Sequence, residues 1–146
     1  MHDCHITKVS IDNKDIIFGF DDNGFWVTAD NKRNPFQKTL RTDRSEIRFV
    51  NCDLDFSNIY IFKAFHLFRK HVFTRRIEIS MEYFATQINN GRWQFEFVDE
   101  LYAWHTAVFN GWLWFDKKPY HLECQLQLSF EDMIYSWNKI WEDRSW

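Results

Sequence analysis

Between Trp93 and Phe115 the chain reads WQFEFVDELYAWHTAVFNGWLWF, and within it Asp99, Glu100 and His105 are the residues whose types could do acid–base chemistry. Carboxylates set among Phe97, Tyr102 and Trp104 lose water. Lost water raises a carboxyl pKa toward what a general acid needs, with His105 as its partner. A small hydrolase or a sugar-binding protein with a Trp-lined acidic cleft would look like this. The simpler reading is a strand edge bent by a bulge, its acids, Glu96 included, facing water or pairing with Arg75 and Arg76.

Metal chemistry has weaker support. His2, Cys4 and His5 lie close in sequence, and His121 and Cys124 are spaced three apart. Zinc needs ligands converging to about 2.0–2.3 Å, usually from a C-x-x-C or H-E-x-x-H pair, and neither motif is present. No metal and no cofactor is expected. A nucleophilic pair of Cys4, Cys52 or Cys124 with His66, His71 or His105 has no local signature, and a buried thiol is inert. Four glycines cannot supply a phosphate loop, a nucleophile elbow or a dinucleotide fingerprint.

Charge is the other feature able to act. Residues 1–29 carry −3, residues 30–77 carry +6 from eleven basic and five acidic side chains, and residues 78–146 carry −6. The basic block offers Arg33, Lys38, Arg41, Arg44, Arg69, Lys70, Arg75 and Arg76 as binding candidates, interleaved with Phe36, Phe49, Phe68 and Phe73. Rings beside cations suit single-stranded nucleic acid, but an acidic chain argues against a dedicated nucleic-acid binder. A protein partner found by charge complementarity is the expectation, with dimerisation through an exposed strand edge or Trp face as a second. The leading functional expectation is therefore a non-catalytic interaction module of adaptor, inhibitor or immunity type.

The elements that must position these groups follow from the pattern. One hundred and forty-six residues at 20% aromatic and 27% charged make one globular domain, 1–146. Lys63, His66 and Arg69 interrupt the best apolar run, so no membrane span is expected. The opening MHDCHITK lacks signal-peptide features, and three cysteines without a C-x-x-C unit suit a reducing, cytoplasmic setting. Short strands are read at Ile6–Ile11, Ile16–Phe20 and Phe25–Ala29, with Asp12-Asn13-Lys14 as a turn and Asn23-Gly24 as a tight hairpin. Asp30–Ser45 reads as a long loop and Glu46–Leu54 as a strand.

Residues 58–79 read as two strands turning at Arg69-Lys70. Ser80 caps a helix over about 80–90 that stops at Asn90-Gly91. Trp93, Phe95 and Phe97 alternate along a strand whose parity slips at Val98-Asp99-Glu100. Asn110-Gly111 reads as a type I′ turn between strands ending at Phe109 and starting at Trp112. Leu122, Cys124, Leu126 and Leu128 give a clear period-two strand after Pro119. A second helix over 129–141 is suggested by Ile134, Trp137 and Trp141. The expected fold class is α+β: a predominantly antiparallel twisted sheet, able to curl into a partial barrel, with two helices.

Overall fold

A computed structural model describes residues 1–68 and 70–145, His66 by its backbone alone; Arg69, named above as a binding candidate, lies outside the described residues. Alternating apolar and polar side chains build strands almost throughout: β1 (His5–Asp12), β2 (Asp15–Phe20), β3 (Trp26–Val27), β4 (Leu40–Thr42), β5 (Ser45–Val50), β6 (Asn58–Leu67), β7 (Lys70–Ile79), the helix α1 (Met81–Asn89), β8 (Trp93–Ala103), β9 (Thr106–Phe115), β10 (His121–Ser129), β11 (Asp132–Trp137) and β12 (Ile140–Ser145). A 3-10 turn at Leu54–Phe56 is capped by Asp53. Nine strands form one antiparallel sheet in the order β11-β5-β2-β1-β8-β9-β10-β6-β7, and β12-β4-β3 form a second.

The fold class is thus corrected. Among the described residues there is one α-helix, not two, and the sheet has two separate edges, β11 and β7, rather than a closed barrel. Where a helix over 129–141 is expected, the chain forms the strand β11, because Met133, Tyr135 and Trp137 alternate with exposed Asp132, Ile134 and Ser136 while β11 pairs with β5. The period of two outweighs the looser helical spacing of Ile134, Trp137 and Trp141.

The two Asn-Gly pairs read as hairpin turns do not make them. Asn110 and Gly111 sit inside β9, where Gly111 faces Phe97 on β8 and Cys124 on β10. Glycine is required there for space: a Cβ would meet the Glu96 carbonyl oxygen and come within 2.7 Å of the Phe95 ring. The hairpin turns instead at Trp104-His105, between Ala103 and Thr106, with His105 at φ 54°. Gly24, at φ 51°, turns a corner that carries the chain from β2 into the other sheet. The third pair behaves as read. Ser80 Oγ accepts from Tyr83 N, and Gly91 N donates to Ile88 O with φ 68°, ending α1.

The large sheet curls around its aromatic side chains. Phe49 on β5 meets Phe109 on β9 edge to face at 5.8 Å, although three strands separate them in the sheet. Phe97 joins Phe20, Phe95 and Phe109 at 5.0–5.7 Å, and Phe84 of α1 reaches Phe95. Each such buried ring contributes about 1.5–3 kcal/mol, which suffices for a core without disulfides. Where β1 diverges from β8, Asn89 at the end of α1 takes the missing strand's place, accepting from Val9 N and donating to Val9 O at 2.9 and 2.7 Å.

Candidate binding surfaces

The slip read at Val98 is a β-bulge: Phe97 pairs with Gly111 and Asp99 with Asn110, leaving Val98 unpaired. One extra residue reverses the parity of everything after it. Asp99 therefore joins the outer face, where Asn110 Nδ2 donates to its Oδ1 at 2.7 Å. Glu100 turns to the opposite face, receiving a hydrogen bond from the Met1 amino group at 2.9 Å and one from the Tyr102 hydroxyl at 3.2 Å. Tyr102 in turn meets the Tyr135 hydroxyl at 3.2 Å, and burial raises the pKa of both phenols.

His105 is elsewhere, at the β8–β9 turn, its Nδ1 3.2 and 3.1 Å from the carbonyl oxygens of Phe130 and Glu131. The three residues singled out for acid–base work thus occupy two faces and a turn rather than one site. The thiols are no better placed. Cys4, Cys52 and Cys124 are all buried, and desolvation pushes Cys4 and Cys52 up to about 11 and raises Cys124 as well.

Glu100 lines a cleft of about 540 Å³ between the two sheets, together with Phe25, Trp26, Arg33, Tyr135 and Trp137. The arginines in this region are already engaged. Arg33 lies 3.8 Å over the Trp137 ring, and Arg41 lies 4.3 Å over Trp26 while donating to Asp3 O at 3.0 Å. Arg44 pairs with Asp22 at 3.1 Å on the surface. Lys38 is exposed, and its carbonyl anchors the buried Asn34 amide, which also donates to Val27 O and Thr28 O. What reads as a long loop is thereby pinned from within.

The rest of the basic block lies at the far edge of the large sheet. β10 pairs with β6 only from Asn58 to Phe62, so beyond that point β6 and β7 run on as a two-stranded ribbon. Lys63, Lys70, Arg75 and Arg76 are exposed along it. Residues 56–77 contain five basic and no acidic side chains. Phe65 and Phe73 stack at 4.6 Å, Arg76 lies 4.5 Å over Tyr60, and Phe68 at the tip is 91% exposed with φ 47°. Sequence contiguity had grouped cations that the fold divides between the two ends of the sheet.

One surface was missed by residue-type reasoning. With the core side chains pointing inward, β8, β9, β10, β6 and β7 present Gln94, Glu96, Asp99, Asn110, Trp112, Trp114, His121, Glu123, Gln125, Tyr60, Phe62 and Arg76 outward. The signal was available: once Phe109, Gly111 and Leu113 are read as one inward row, Asn110, Trp112 and Trp114 must face out. No group of potential metal ligands forms among the described residues, and no described helix is long and apolar enough to cross a membrane.

No protein-family model, no curated protein and no solved structure matches this chain.

Proposed function

We propose that the chain is a non-catalytic protein-interaction module, of adaptor, inhibitor or immunity type, that seats an acidic strand or surface of a protein partner along the β6–β7 ribbon. The observation that carries this reading is the ribbon itself, acid-free over residues 56–77 and carrying exposed Leu67, Phe68, Val72 and Phe73 beside its cations. Exposed apolar side chains of this extent mark contact surfaces. β7 has β6 as its sheet neighbour on one side only, so its outer edge can accept an added strand, and its basic side chains select an acidic one. Buried, protonated thiols suit a reducing compartment, and the cytoplasm is the setting we infer.

The test compares the tagged protein with a Lys70→Glu, Arg75→Glu, Arg76→Glu variant as bait in a low-salt lysate. A partner held by the first, lost from the second and released by salt supports the proposal, once purified and titrated directly. Equal recovery by both baits would sink it, as would a nucleic acid as the sole ribbon-dependent species.

A further inference from the structure

We propose that the outer face of β8, β9, β10 and β6 is a binding site for a neutral oligosaccharide, independent of the ribbon. Register places Glu96, Trp112, Glu123 and Phe62 side by side in one row across four strands. The neighbouring row is Asp99, Asn110, Gln125 and Tyr60, and on the other side lie Gln94, Trp114 and His121. Trp112 and Trp114 are 38% and 37% exposed, and His121 packs at 5.1 and 5.0 Å between them. A wall of this kind offers flat apolar rings to the C–H faces of sugars. Trp112 and Phe62 flank β10, about 10 Å apart by strand spacing, and Trp112 and Trp114 are about 7 Å apart along β9.

The polar groups between the rings are preorganised. Trp114 Nε1 donates to Glu96 Oε2 at 2.6 Å, Asn110 Nδ2 to Asp99 Oδ1 at 2.7 Å, and Gln125 Nε2 to Asn110 Oδ1 at 2.8 Å. This fixes a ladder of amides and carboxylates whose remaining capacity includes both donors and acceptors. Hydroxyl groups, which donate and accept, can satisfy such a mixed ladder. Ammonium and guanidinium groups only donate, so basic side chains could answer the carboxylates but not the amide N–H groups, whereas each sugar hydroxyl can answer both. A polyanion is disfavoured by charge: Glu96, Asp99, Glu123 and Glu78 share this face with Arg76 as its arginine. A neutral polyhydroxylated chain is what the charge and the hydrogen-bonding groups fit together.

The experiment is calorimetric titration of the whole protein with cello-, xylo-, manno-, malto- and chitohexaose, and with heparin hexasaccharide and hexalysine as charged probes. Saturable binding of at least one neutral hexasaccharide is expected, insensitive to salt. It should weaken about tenfold or more in Trp112→Ala and in Trp114→Ala, as loss of a central aromatic anchor does. Gln125→Ala, which removes no ring, should weaken it less while keeping the melting temperature. A Lys70→Glu, Arg75→Glu reversal, which leaves Arg76 of this face in place, should leave sugar binding unchanged, so this site and the ribbon fail or succeed separately. Failure of all five neutral sugars to bind, binding that survives both Trp changes, or preference for a charged probe would each overturn the proposal.

Discussion

Replacing Gly111 by alanine asks whether β8 and β9 meet as described, because the change should be tolerated in a turn and punished in this strand pair. Gly111 does not have the positive φ of Gly24 and Gly91, so alanine's backbone preferences are not the obstacle. Space is. The added methyl would meet the Glu96 carbonyl oxygen, and it would lie 2.7 Å from the Phe95 ring and 3.1 Å from the Glu96 carbonyl carbon. Backbone cannot swing away as a lysine tip could, so β8 and β9 must part locally, at an overpacking cost of about 3 kcal/mol. Alanine recovers about 0.5–1 kcal/mol by stiffening the unfolded chain, leaving a net loss of about 2 kcal/mol.

For a chain of this size that loss lowers the melting temperature by about 4–8 °C, measurable by circular dichroism with parallel urea titration. Gly91→Ala is the control: φ is 68° but nothing lies within 4 Å, so only the left-handed backbone is penalised, by about 1 kcal/mol. If Gly111→Ala proves as mild as the control or milder, the placement of Gly111 between Phe97 and Cys124 is wrong.

Asn34→Ala should cost about 2–3 kcal/mol, because the amide that serves three carbonyls and accepts from Phe36 N is removed from a buried position. Trypsin should then cut faster at Arg33 and Lys38, and unchanged cutting would refute the pinning. In native protein all three cysteines should resist alkylation at mildly alkaline pH and react on unfolding; rapid modification of Cys4 or Cys52 would contradict their burial. Their raised pKa values also set a pH window. Cys4 and Cys52 sit at about 11 folded against an ordinary 9.0, so above pH 9 the unfolded chain loses protons that the native one keeps. Their contribution to stability is complete below pH 9 and falls as pH rises through 11, a decline that Cys52→Ala should lessen in pH-dependent melting.

Local signals were legible and long-range ones were not. Ser80 and Gly91 bracket α1 within ten residues, and the two strands at 58–79 declare themselves by β-branched and aromatic content; both readings hold in the fold. The parity slip at Val98 was equally visible, because a bulge leaves its mark in the alternation itself. Asn110-Gly111 misled because a turn preference worth about 1 kcal/mol competes with the burial of Phe109 and Leu113 on either side, worth several. At Ile134, Trp137 and Trp141 an approximate helical spacing hid the alternation of Met133, Tyr135 and Trp137, and only pairing with β5, far back in the chain, decides between them. Where a cation finds its ring, as Arg33 does on Trp137, is likewise set by which strands become neighbours.

β11 and β12 are consecutive yet belong to different sheets, one completing the edge at β5 and the other joining β4. Residues 40–50 therefore emerge from the ribosome long before the partners at 132–145 that will cover them, while synthesis adds only about 5–20 residues per second. For that interval the nascent chain carries two sticky, half-finished margins. Synthesis broken off before residue 132 would leave a polypeptide with both seams unsewn, suited to chaperones or proteases.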